Sequence, residues 1–171
     1  MFQKRFFIFN KKRMNNKFIA VITSLILLVI ALLTSKWSTS DGIGSNKLSF
    51  GLWKNCVDNK CGNINRIYNN DFPKSVLEVC RGLVIISILI LIYTGIVLLS
   101  KQKFNINLIF VAGIISLLSS LLWFIEFRKI TISGSGSIPP TIVNYNLGYS
   151  FYLNLFSGLI CVLYFIFQKY F

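Results

Sequence analysis

Four long stretches without a charged side chain, residues 18–35, 82–100, 104–125 and 148–167, constrain this chain more than any other feature. An α-helix rises about 1.5 Å per residue, so crossing a hydrocarbon core of about 30 Å takes about 20 apolar residues, and each stretch is of that order. In lipid every backbone N–H and C=O must be paired inside the protein, and for runs of this kind the helix is the solution. A composition of 54% hydrophobic and 13% charged residues over 171 positions agrees with a membrane protein and not with a soluble core. The expected architecture is one domain, 1–171, with spans at 18–36, 80–100, 107–126 and 148–167. A cleaved signal peptide is the alternative for the first run. That run is longer than a usual signal core and no small-x-small cleavage site precedes Lys36, so it reads as a retained signal anchor.

Charge orders these spans across the bilayer. Lys4, Arg5, Lys11, Lys12, Arg13 and Lys17 fill the first segment, 1–17, without one acid. With both termini inside, the cytoplasmic segments 1–17, 101–106 and 168–171 hold nine basic residues and no acid, against nine basic and five acidic residues on the other side. The positive-inside rule favours that arrangement and turns the segments 37–79 and 127–147 outward, where disulfides are permitted. The expected location is the plasma membrane, with N- and C-termini cytoplasmic.

Several kinds of chemistry are excluded. The net charge of +13 invites a nucleic-acid partner, but the cations are scattered between apolar runs and form no stripe or nucleic-acid motif. Lys outnumbers Arg 13 to 5 in a chain rich in Phe, Ile, Asn and Tyr, so part of the basicity follows from an AT-rich coding bias. There is no histidine, which removes the usual general base, the Ser-His-Asp triad and His-based metal sites. The five acids, Asp41, Asp58, Asp71, Glu78 and Glu126, all lie outside the centres of the apolar runs, so no intramembrane acid pair can be built. No catalytic residue, cofactor or metal ligand is expected, and no small-molecule substrate.

Within the spans, Ala112, Ser116 and Ser120 fall four apart beside Gly113, a small-residue stripe where another helix can approach closely. Asn154 is polar within an apolar run and calls for an interhelical hydrogen bond, or else a ligand contact. Cys161 reads as a small buried hydrophobe.

The outward segment carries the pattern with most information. Leu48, Phe50 and Leu52 alternate with Ser49 and Gly51, the period of a half-buried strand. In Cys56-Val57-Asp58-Asn59-Lys60-Cys61, a two-residue turn at Asp58-Asn59 makes Val57 and Lys60 a hydrogen-bonded pair. Cys56 and Cys61 then face each other at the next, non-hydrogen-bonded pair, where Cα atoms lie about 4.5 Å apart, close enough for a disulfide. Four intervening residues do not make the redox Cys-x-x-Cys pair, so a structural staple is expected. Gly51 lets the backbone come close, Leu52-Trp53 is expected to anchor the sheet on the helix tops, and Trp37 follows the first run at the bilayer interface. Arg81 enters the second span and needs carbonyl or acid partners there, with Glu78 one turn before it.

Trp37, Gly51, Leu52, Trp53, Cys56, Cys61 and Arg81, in this order and compartment, resemble the signature of the claudin, peripheral myelin protein and channel gamma-subunit superfamily of four-span membrane proteins. The stretch 68–83 (YNNDFPKSVLEVCRGL) is similar to the claudin pattern of Tyr, Pro and an Arg at the helix entry. Gly148-Tyr149-Ser150-Phe151-Tyr152 resembles the aromatic entry to the fourth span in gamma subunits and myelin-type members. The resemblance implies an all-α membrane fold: a left-handed four-helix bundle under a small extracellular antiparallel β-sheet, stapled by Cys56 and Cys61.

The departures from claudins bear on function. The cysteines are closer together than usual, and Gly62 stands where several claudins carry a selectivity charge, so no ion selectivity carries over. Only residues 168–171 follow the last run, a stub more like the myelin-type members, although the Asn-x-Ser/Thr sequon common there is absent. Two function classes follow from the resemblance: a non-enzymatic junction, adhesion or membrane-organising protein that meets copies of itself in cis or trans, or an accessory subunit that binds and modulates an ion channel or receptor. Candidate partner contacts are Lys47, Lys54, Asp58, Asn59, Lys60, Arg66, Tyr149, Phe151 and Tyr152. In a paracellular path Lys47, Lys54, Lys60 and Arg66 would prefer anions; otherwise they form a solvated basic face.

Overall fold

The computed structural model describes residues 2–41, 47–57, 60–63, 74–100, 105–126, 129–132, 141–144 and 146–170. Four helices carry the chain: α1 (Phe2–Leu33), α2 (Lys74–Leu99), α3 (Asn107–Glu126) and α4 (Tyr149–Tyr170). By length and composition α2, α3 and α4 can each cross a membrane, and Lys17–Leu33 of α1 is apolar over 17 residues. Helix α2 packs on α1 and α3, and α4 packs on α1 and α3, which closes a bundle.

The helices are not bounded by the uncharged runs. Helix α2 begins at Lys74, well before Gly82, because Leu77 and Cys80 fall on its buried face with Val84 and Leu91. Burial of one continuous stripe carries the helix past its apolar part towards the sheet.

The bundle interior is held by small polar groups. Ser116 Oγ donates to Asn154 O (2.9 Å) and Oδ1 (3.1 Å), while Asn154 Nδ2 donates to Ser116 O (3.1 Å) and Ser120 Oγ (2.8 Å). The expected interhelical hydrogen bond of Asn154 is thus met by three side-chain bonds between α4 and α3. A Cβ on Gly113 would lie 2.8 Å from Cys161 Cβ and 3.0 Å from Gly158 O, so α3 and α4 approach closely at the small-residue stripe. Ser24 and Ser157 exchange hydroxyl-to-carbonyl bonds between α1 and α4 (3.4 and 2.9 Å), and Ser87 Oγ donates to Ala112 O between α2 and α3 (2.8 Å). Cys161 is buried, as its surroundings in the sequence suggest.

Above one end of the bundle lies a five-stranded antiparallel sheet in the order β4-β3-β2-β1-β7: β1 (Ser38–Asp41), β2 (Lys47–Phe50), β3 (Lys54–Val57), β4 (Lys60–Asn63) and β7 (Asn146–Leu147). Strands β5 (Lys129–Ile132) and β6 (Thr141–Asn144) form a separate two-stranded ladder. The sequence treats 127–147 as a loop, yet Ile130-Thr131-Ile132 and Thr141-Ile142-Val143 are runs of β-branched residues, the type that fits a pleated surface.

Residues directly opposite in a ladder share a face. The row Leu147, Ser38, Phe50, Asn55, Gly62 therefore lies on one side and the row Asn146, Thr39, Ser49, Cys56, Cys61 on the other. Phe50 joins the helix core and Leu147 packs against it, which fixes the first row as the inner face.

Candidate functional site

The joint between sheet and bundle is built on residues 34–37. Trp37 N donates to Phe50 O (2.7 Å), Gly148 N to Trp37 O (2.9 Å) and Ser150 N to Lys36 O (3.1 Å), so the end of α1, β2 and the start of α4 meet here. Gly51 presses on this segment: a Cβ there would stand 2.5 Å from Ser35 Cα and 2.7 Å from Thr34 O. The distance leaves room for a hydrogen only, which is the close approach expected of Gly51.

Trp37 sits at the end of α1, but not at a lipid interface. It is fully buried, its Nε1 donates to Ala31 O (2.7 Å) and its ring lies 5.0 Å from that of Trp123. Trp123 Nε1 donates to Ser38 Oγ (2.9 Å), tying the sheet end of α3 to β1. An indole needs a partner for its N–H when enclosed, and both have one. Trp123 and Ser38 were not readable as a pair, since nothing local marks residues 85 positions apart.

Leu52 is not part of a strand. β2 ends at Phe50, and Gly51-Leu52-Trp53 is the turn into β3, closed by Gly51 N donating to Lys54 O (2.9 Å). The apolar alternation persists through the turn because Leu52 still drops into the core, where it is fully buried. Its carbonyl accepts from Arg81 Nε (2.6 Å), and the Arg81 guanidinium lies 4.6 Å from the Trp53 ring. Arg81 thus finds the carbonyl partner that a cation in this position needs, and a π face besides.

Cys56 and Cys61 are opposite in the β3–β4 ladder and joined by a disulfide, with Cα atoms 4.0 Å apart. Val57 pairs with Lys60, the register expected for a two-residue turn. The Ser35 hydroxyl lies 3.4 Å from Cys56 Sγ and donates to it, since a bridged sulfur carries no hydrogen. The staple therefore reaches the end of α1 as well.

Outside this joint the surface is polar and basic. Lys47, Lys54 and Lys60 are exposed, and Trp53 keeps 41% of its surface. A cavity of about 270 Å³ is lined by Thr39, Ser49, Cys56 and Asn146 of the outer row, by Ser40 and Leu48 from the other side of β1 and β2, and by Lys36 and Lys47. Lys36 Nζ lies 5.9 Å from the ring of Tyr149, which is 49% exposed, and Tyr152 is 44% exposed. Phe151 is different: it is only 6% exposed and belongs to the core cluster, so its ring offers nothing to a partner. Alternation along a helix decides this, for Ser150, Phe151 and Asn154 lie on the buried side of α4. Asp58, Asn59 and Arg66, and the pattern around Tyr68, lie outside the described residues. Among the described residues no group of three or more His, Cys, Asp or Glu could hold a metal ion.

A search of curated proteins gave no individual match. The model of the PMP-22/EMP/MP20/Claudin family matches residues 12–167, which takes in α2, α3, most of α1 and α4, the sheet and the disulfide. The chain belongs to this family of four-span membrane proteins, whose members are generally non-enzymatic and serve in junctions or in association with channels.

Proposed function

We propose that this protein joins membranes or organises them by self-association through its sheet, with both termini in the cytoplasm and the sheet outside the cell. The observation that carries the reading is the unequal use of the sheet's two faces. The inner row, from Leu147 to Asn55, is committed to the helices, whereas the outer row carries Asn146, Thr39 and Ser49 beside a cavity, with Lys47 and Lys54 exposed on the same side and Lys60 exposed on the edge strand, on the side of Phe50. A stapled, five-stranded platform with a polar outer row is suited to contact through hydrogen bonds and charge, which give specificity more than raw affinity. Orientation rests on the excess of basic residues in the first half of α1 and in 101–103.

The test is expression in non-adherent cells. Self-association across membranes predicts enrichment at cell–cell contacts, reduced when Lys47, Lys54 and Lys60 are replaced by Glu. Uniform surface distribution with co-purification of one channel or receptor would favour the accessory-subunit reading instead. If a paracellular path forms, the same lysines favour anions, and a dilution potential that favours sodium would refute that detail.

A further inference from the structure

The protein satisfies only part of the Arg81 guanidinium. Nε donates to Leu52 O (2.6 Å) and the group lies 4.6 Å from the Trp53 ring, but the two terminal amino groups, with four N–H donors, meet no acceptor among the described residues. The indole N–H of Trp53, an exposed residue, has no acceptor among them either. Arg81 is half-buried and is the last charged residue before the uncharged stretch 82–100, so these donors stand where headgroups give way to hydrocarbon. A cation at that depth calls for an acceptor that the chain does not supply.

Steps of three and four carry one face of α2 through Glu78, Arg81, Ile85, Leu89 and Ile92. Ile85, Leu89 and Ile92 are exposed and form an apolar ridge directly below the guanidinium. Glu78 is exposed too, three residues and about 4.5 Å further out along the axis. It makes no ion pair among the described residues, since the Arg81 guanidinium is turned to Leu52 and Trp53. From the sheet end downwards this face therefore runs negative, positive, apolar.

We propose that this face of α2 binds one zwitterionic glycerophospholipid, with its phosphate on Arg81 and the Trp53 N–H, its amine against Glu78, and an acyl chain along Ile85, Leu89 and Ile92. The order of the charges selects this occupant. In phosphatidylcholine and phosphatidylethanolamine a short ethylene bridge sets a cationic amine just outside the phosphate, opposite in sign to Glu78 and Arg81 in turn. Phosphate is also the acceptor that the planar fork of a guanidinium matches. Phosphatidylglycerol offers the phosphate but nothing for Glu78, and a sterol or a diacylglycerol offers no anion at all. On the orientation proposed above this end lies in the outer leaflet, away from the anionic lipids of the cytoplasmic side. That step alone rests on the proposed orientation, and binding in detergent is measured without it.

Native mass spectrometry of the full chain in detergent, titrated separately with phosphatidylcholine, phosphatidylglycerol and diacylglycerol of the same acyl chains, tests it. One phosphatidylcholine is expected to be retained per chain, about threefold more tightly than phosphatidylglycerol, the size of one exposed charge contact, while diacylglycerol is not retained. Glu78→Lys leaves the Arg81–Leu52 hydrogen bond untouched and inverts the preference between the two phospholipids. Arg81→Gln weakens retention of phosphatidylcholine by at least about tenfold, as expected when hydrogen bonds to a charged group are lost. An intact Cys56–Cys61 disulfide and unchanged melting verify the fold of each variant, and if Arg81→Gln does not fold, the inversion by Glu78→Lys decides. Phosphatidylglycerol held by the parent as tightly as phosphatidylcholine overturns the proposal, the charge then being set by Lys54 beside Trp53 and Lys74 at the start of α2, both exposed. Equal retention of diacylglycerol, full binding by a folded Arg81→Gln variant, or an unaltered preference in Glu78→Lys also overturns it.

Discussion

Trp37 and Trp53 belong to one motif and end in opposite situations. Trp37 has no exposed surface, a hydrogen bond to α1 and a ring partner on α3, so three elements depend on it. Trp53 lies 41% exposed on a turn, with Arg81 against its ring. A residue enclosed by several elements reports on whether the fold exists, whereas one at the rim can change with modest cost to the fold. The same division separates Cys56, Leu52 and Gly51, all buried, from Lys47, Lys54 and Lys60.

Substitutions can break this contrast, and the largest effect is expected at its buried pole. Trp37→Ala removes a fully enclosed ring together with its hydrogen bond to Ala31 O and its contact with the Trp123 ring, at a cost of about 3–5 kcal/mol. Thermal unfolding of the purified protein should show little or no cooperative transition. Next, Cys56→Ser opens a short loop worth about 2 kcal/mol on the chain-entropy argument. It should cause intracellular retention, and surface delivery at wild-type levels would contradict the structural role given to the bridge. Asn154→Ala removes three side-chain hydrogen bonds between α4 and α3, leaving Ser116 Oγ the backbone carbonyl of residue 154 and Ser120 Oγ that of Ser116, and should lower stability by about 1–2 kcal/mol, read as a fall in melting temperature. Trp53→Ala forfeits a partly exposed cation–π contact of about 0.5–1 kcal/mol. A loss as large as that of Trp37→Ala would abolish the distinction between the two tryptophans. Lys60→Ala should stay within about 0.5 kcal/mol of the parent in stability while altering enrichment at cell contacts.

How much of this was legible in the sequence follows the range of the forces involved. The helices could be read because bilayer thickness fixes the length of an apolar run, and the Cys56–Cys61 pairing because a two-residue turn fixes its own register. Leu52 was placed in a strand because its alternation with Phe50 continues through a turn, and burial obeys the core on either side of it. Phe151 looked available because its neighbours Tyr149 and Tyr152 are aromatic too; only the rotation of α4 against the bundle separates them. Ser38 with Trp123, and β7 beside β1, are contacts between distant parts of the chain that no local pattern encodes.

The position of β7 has a consequence for biosynthesis. Ser38 and Thr39 pair with Leu147 and Asn146, which are made only after three of the four helices and immediately before the last. Chains are synthesised from the N-terminus at about 5–20 residues per second, so β1 waits for several seconds with one edge unpaired after β2, β3 and β4 can assemble. During that interval the hairpin carrying Cys56 and Cys61 can oxidise on its own, but the sheet cannot be completed. A nascent chain that stalls before residue 146 thus presents an open strand edge on the sheet side of the membrane, a feature by which quality control can tell an unfinished molecule from a finished one.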